Sequence, residues 1–237
     1  MRWMPGHWLH SWSQTCPRFT PPAVLFCPFY GVTPFPAKRG TQPILSEVLP
    51  PGGAPQSWRD REVLWNEVGA RERRRDAGLA REVEFALPAE LLPGQAAALA
   101  CAYVLAAFVA EGMVADLSVH WALREDGQPK PYAQVLLTLR QAGPGGFGLK
   151  QRAWNDRANA GRWCQLWAKM ANACLATHGH AARIDHRSHA ERGLALEPQN
   201  KVGPNAARRA RRDEPSERVD EHRAIARRNQ ERAARGT

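Results

Sequence analysis

Residues 114–140 read VADLSVHWALREDGQPKPYAQVLLTLR, two extended stretches around a polar loop. In the first, Leu117 and Val119 fall on one face and Asp116, Ser118 and His120 on the other, the period of two that a half-buried strand requires. Arg124 to Lys130 collects Glu, Asp, Gly, Gln, Pro and Lys, the composition of a solvated turn. Tyr132 to Arg140 is β-rich and apolar enough to lie centrally in a sheet. Antiparallel pairing would bring His120, near the end of the first strand, close to Tyr132 and Gln134 at the start of the second.

Working outward from this pair, Leu79 to Pro88 alternates Val83, Phe85 and Leu87 against Glu82, Glu84 and Ala86, predicting a strand. Glu90 to Glu111 reads as an apolar helix that Gly112 ends at a position needing positive φ. Upstream, Ile44 to Pro50 reads as a strand and the Pro-Gly-Gly-Ala-Pro of residues 51–55 as a turn. Ser57 is the expected N-cap of the next helix, with Asp60 three residues on and Trp58, Leu64, Trp65 and Val68 as its stripe. That helix runs into Arg71 to Asp76, whose arginines suit phosphate or a solvated face laced with i,i+4 pairs. Residues 1–37 crowd Trp, Pro, Phe and Cys without a sustained period. Pro17, Pro21, Pro22, Pro28, Pro34 and Pro36 break every candidate element there, and irregular chain is predicted. Downstream, Pro144 to Gly148 reads as a loop, and a long helix follows on which Trp163, Leu166, Trp167, Met170 and Cys174 recur. Residues 206–237 are an Arg-rich polar tail, helical or disordered.

The chain has 237 residues, enough for one ordinary domain plus tails. A formal net charge of +10 favours polyanions, nucleic acid first among them, although a globular protein with a basic tail carries the same balance. No apolar run reads as a membrane span of roughly 20 residues, and the start lacks the pattern of a secretory signal. The five cysteines form no C-x-x-C pair, which argues against a zinc site and for reduced thiols packed as small hydrophobes.

Three separated blocks carry a family likeness. They are the 114–140 stretch, AREVEFALP at 80–88, and ARIDHRS at 182–188, the last followed by Arg192-Gly193 and Glu197-Pro198. In this order they resemble the MobA/MobL-type relaxases, plasmid-mobilisation nickases of the HUH class that also form the N-terminal part of TraA-like transfer proteins. The likeness covers residues 38–205. It implies an α+β fold, an antiparallel sheet with helices packed on one face, in a cytoplasmic protein, and a strand end at Ala181 to Ser188.

The resemblance further implies binding of single-stranded DNA at a plasmid transfer origin, together with other mobilisation proteins. It also implies nicking by transesterification, in which a tyrosine attacks the phosphodiester beside a divalent metal, Mg or Mn. In that family a strand ending in His is followed by a charged loop and a strand opening His-x-His, three imidazoles that hold the ion. Here His120 takes the first position, whereas Tyr132 and Gln134 occupy the other two. His178, His180 and His189 lie beyond the hairpin at no spacing that argues ligation. The tyrosine expected near the start, within an alanine-rich helix, has only Tyr30 to represent it, in surroundings that do not match. By the same resemblance Glu82 and Glu84 are helpers near the metal, and Arg81, Arg140, Arg183, His186 and Arg187 are DNA contacts. A non-catalytic DNA-binding accessory protein and a degenerate relaxase fragment are the alternatives.

Overall fold

The computed structural model describes residues 18–19, 43–72, 74, 77–124, 126–199 and 202–235. Five strands form one sheet: β1 (Arg18–Phe19), β2 (Pro43–Leu49), β3 (Ala80–Ala86), β4 (Ala115–Leu123) and β5 (Pro129–Thr138). Their order is β1-β3-β5-β4-β2, and every pairing is antiparallel. The hairpin read from residues 114–140 is thus the middle of the sheet. That position accounts for the apolar run Val135–Leu137, buried from both sides. Within the N-terminal stretch read as irregular, Arg18–Phe19 is extended and pairs with β3.

Alternation sorts the sheet into two faces. Val83 and Phe85, Ala133, Val135 and Leu137, and Ala115, Leu117 and Val119 are at most 1% exposed and share the inner face. Against it lie α2 (Pro93–Ala107) and α3 (Arg157–Thr177). The joint is aromatic: Phe85 meets Tyr103 and Trp167, and Phe108 meets Trp163, with ring centroids 4.8 to 5.2 Å apart in edge-on or tilted poses. The expected stripe on α3 is shifted. Trp163 and Trp167 are buried together with Cys164, Ala168, Ala171 and Leu175, while Leu166, Met170 and Cys174 stay half-buried on the flank.

On the opposite face a second, smaller core covers one end. Leu136 and Val48 project there and are covered by α1 (Arg61–Ala70), by Trp58 from the 3-10 turn Gln56–Arg59, and by Phe147. Phe147 belongs to a separate two-stranded ribbon, β6 (Arg140–Gly143) and β7 (Gly146–Lys150). Residues 144–148 are therefore a hairpin turn and the start of β7 rather than a free loop, and Arg140 opens β6 instead of ending β5. Trp58 and Phe147 stack at 4.1 Å and 16°.

Helix ends differ from expectation in instructive ways. Asp60, not Ser57, caps α1: its Oδ1 accepts from the amides of Glu62 and Val63, while residues 56–59 close a turn of their own. The helix stops at Ala70 rather than running on through the arginines. α2 starts at Pro93 because proline suits the first helical position, where its missing N–H costs nothing. Gly112 behaves as predicted, with φ of +93° after a 3-10 turn at Val109–Glu111. Together Pro93–Glu111 is long and apolar enough to cross a membrane by length and composition, contrary to the expectation of no such run, and its inner positions pack in the core.

Ala182–Ser188 is not a strand end. The segment is irregular, and at its buried residue a side chain takes both backbone groups: Asn172 Nδ2 donates to the Ile184 carbonyl at 2.8 Å and Asn172 Oδ1 accepts from the Ile184 amide at 2.7 Å. Cys101 and Cys174 are free thiols, whereas Cys164, expected reduced, is disulfide-bonded.

The described residues from Arg187 onward form a compact unit of their own. It holds α4 (Pro204–Ala210) and α5 (Glu217–Arg235), the helical alternative for the tail. Inside it Asn229, 4% exposed, bonds the Glu197 backbone in both directions, and the Glu197 carboxylate accepts from Arg228 and Arg232.

Candidate functional site

The outer face of the sheet carries polar side chains in three cross-strand rows. Ala86, Tyr132, His120 and Pro43 make one; Glu84, Gln134, Ser118 and Ser46 the next; Glu82, Leu136, Asp116 and Val48 the third. The last row enters the second core, and α1 covers that end. His120, Tyr132, Gln134, Glu82 and Glu84, predicted from sequence, are all on this one face.

Within it the side chains bond to each other. The His120 ring, 4% exposed, lies flat against Tyr132 with centroids 4.8 Å apart and planes 12° apart. Gln134 Nε2 donates to the Glu82 carboxylate. Next to His120 on the same strand face, the Ser118 and Ser46 hydroxyls are 3.4 Å apart. Arg61 Nη2 donates to Ser46 Oγ at 2.7 Å and, through Nε and Nη2, to Asp116 at 2.8 to 3.0 Å. Trp65 Nε1 completes the Asp116 shell at 2.9 Å. The hydrogen bond to Asp116 raises the Arg61 pKa against the opposing effect of burial, so this arginine is a fixed cation at the rim. Sequence reasoning placed Asp116 on the correct face but missed Arg61, Trp65 and Ser46. Their proximity arises from packing between segments 51 to 72 residues apart.

The expected DNA contacts scatter. Arg81 follows the alternation of Val83 and Phe85 onto the inner face, is 5% exposed, and donates to the Trp154 carbonyl and to Asn155. Desolvation lowers its pKa; it is a core arginine, not a surface cation. Arg140 pairs with Glu72 and the Gly148 carbonyl at the second ribbon. Arg183 is exposed and bonds the carbonyls of His180 and Ala182, and His186 is exposed beside Asp185 at 4.0 Å. Arg187 is exposed and belongs to the C-terminal unit. Tyr30 lies outside the described residues. Tyr103 is sealed in the core, its hydroxyl donating to the Trp163 carbonyl, and burial pushes its pKa up. Among the described residues, Tyr132 is the tyrosine of the outer face.

A three-imidazole metal centre does not fit these donors. One imidazole stands at position 120, a stacked phenol at 132 and an amide bonded to Glu82 at 134. Among the described residues no group of three or more His, Cys, Asp or Glu side chains is close enough to hold a metal ion.

Comparison with known proteins agrees with the blocks of sequence. Residues 35–212 match the family model of the MobA/MobL family. The chain is 38% identical over 193 residues to the mobilization protein MobL of Acidithiobacillus ferridurans, covering 68% of this chain and 50% of that one. It is 33% identical over 174 residues to the conjugal transfer protein TraA of Agrobacterium fabrum, 65% of this chain and 15% of that one. It thus spans half the length of the first and a small part of the second. A solved structure described as the molecular basis of vancomycin resistance transfer in Staphylococcus aureus superposes with a TM-score of 0.57 at 31% identity, covering 62% of this chain and 77% of that one. With three quarters of its length matched by the family model, and the antiparallel α+β sheet that the family likeness implied, the chain belongs to the MobA/MobL family of mobilisation relaxases.

Proposed function

We propose that this chain binds single-stranded DNA at a plasmid transfer origin as a mobilisation protein, and that it does so without metal-assisted nicking. The observation that carries the reading is the hairpin itself: positions 120, 132 and 134 share one face, yet a single imidazole stands among them. Tyr132, half-exposed and backed by His120, is the kind of aromatic on which a base stacks for about 1–3 kcal/mol. Arg124 and Lys130, exposed at the hairpin tip, supply cations for phosphates, and the net charge of +10 adds longer-range attraction. In the transesterification implied by the family, a tyrosine oxygen bonds to phosphorus as a sugar oxygen leaves, while an ion neutralises the growing charge. The ion's ligands are what the hairpin lacks. Other mobilisation proteins are the proposed partners at the origin.

Fluorescence anisotropy with labelled single-stranded and duplex oligonucleotides from a candidate origin tests the binding. The single strand is expected to bind more tightly, with log affinity falling linearly against log salt. Absence of salt-sensitive binding would sink the proposal. The same mixtures, incubated with Mg²⁺ or Mn²⁺ and run on a denaturing gel, are expected to show no covalent adduct. A metal-dependent adduct would make the chain a nicking enzyme, with Tyr30 or Tyr132 as its nucleophile.

A further inference from the structure

We infer that the β4–β5 hairpin is a metal face switched off by two side chains, with the backbone geometry for three ligands kept intact. The inference rests on the family reading of the hairpin but not on DNA binding. Register fixes the spacing. Residue 132 stands directly across from residue 120, where Cα atoms of an antiparallel pair are about 4.5–5.5 Å apart. Residue 134 follows two positions along on the same face, about 6.8 Å farther by strand rise. Three imidazoles at these positions can converge on one ion.

The side chains present do something else. Tyr132 spends its ring on stacking with His120, and Gln134 spends its amide hydrogen on Glu82. Each substitution replaces a ligand by a group whose partner is another residue of the sheet, so the face is closed on itself. Glu82 is the telling member. A carboxylate that now takes the Gln134 amide is placed to take the ring N–H of a histidine at 134, the arrangement that orients metal-bound imidazoles and sets their tautomer. The carboxylate that would orient a ligand at 134 is in place while the ligand is not.

The test is a titration of the full chain with Mn²⁺ alone, in the absence of DNA, reading free ion by electron paramagnetic resonance. Wild type and His120→Ala are expected to behave alike, with no saturable uptake over the range in which the double variant Tyr132→His/Gln134→His saturates at one ion per chain. Because losing even a partner that orients a ligand costs 10- to 100-fold in affinity, the gain from restoring two direct ligands should be about 100-fold or more. Adding His120→Ala to the double variant should abolish the gain, and adding Glu82→Ala should reduce it about 10-fold or more. Mn²⁺ uptake by wild type that His120→Ala weakens would overturn the inference. So would a double variant that keeps the wild-type near-ultraviolet circular dichroism and takes up no more ion than wild type. Oligonucleotide binding by the same preparations reports separately on the proposed function.

Discussion

Asp116 holds two donors that have no second acceptor of equal strength. Its side chain is fully enclosed, and Arg61 and Trp65 both point at it. Asp116→Asn keeps the shape, removes the charge and turns an amide toward the guanidinium. It should lower stability by about 1–3 kcal/mol, because the enclosed carboxylate loses its charge-assisted bonds to Arg61 and Trp65 while Arg61 keeps contact with water. Urea unfolding followed by tryptophan fluorescence measures the loss, and an unchanged midpoint would show the pair to be dispensable. Much at this scale was legible in the sequence. Alternation alone put Asp116, Ser118 and His120 on one face and named Tyr132 and Gln134 as neighbours of His120. The same alternation, followed through, places Arg81, two residues before Val83, on the inward face, whereas its reading as a DNA contact came from the family likeness. Arg61 was beyond reach, since nothing local in residues 57–68 announces a partner 55 positions away.

At the scale of elements, ends and joints decide more than interiors. Gly112 sits at φ of +93°, and a Cβ there would lie 3.1 Å from Gln141 side-chain atoms. Gly112→Ala is expected to cost about 1–3 kcal/mol, measured by the same urea titration, since the left-handed backbone strains any L side chain and the neighbour must also shift. The Asn172 clasp makes a different kind of prediction. Asn172→Ala should leave α3 intact but expose the Ile184 amide, so hydrogen exchange should quicken at Ile184 while α3 amides keep their protection; unchanged exchange at Ile184 would mean that the clasp does not hold the segment. The strand end that the family likeness implied for ARIDHRS is irregular here, and Ile184 finds an amide side chain where a strand would find another strand. Ser57 was preferred as a cap on residue type and on Asp60 three residues on, and the extra 3-10 turn that moves the true cap to Asp60 leaves no distinct mark in composition.

For the whole molecule, charge is unevenly shared. Residues 187–237 hold thirteen basic and eight acidic side chains, which is half of the net excess of +10 in about a fifth of the length. The internal bonds of this unit centre on Glu197. The Arg228 hydrogen bond holds its carboxyl below the ordinary carboxylate range. The folded unit therefore binds that proton less readily than the unfolded chain. Its contribution is present above the unfolded value of about 4.3 and is lost as pH falls through the lowered folded value. Acid titration followed by helix ellipticity should show this limb in the wild type and lose it in Glu197→Gln; an identical limb in both would assign the acid sensitivity elsewhere.

The two faces of β5 also differ in what a substitution on them would disturb. Ala133, Val135 and Leu137 lie in the core, whereas Tyr132 and Gln134 belong to neither hydrophobic cluster. A substitution at the first three positions therefore disturbs the core, whereas one at the other two alters a face outside it. In the genetic code, His is one base away from Tyr and one base away from Gln. Two single-base changes therefore separate this hairpin from one that presents three imidazoles on that face.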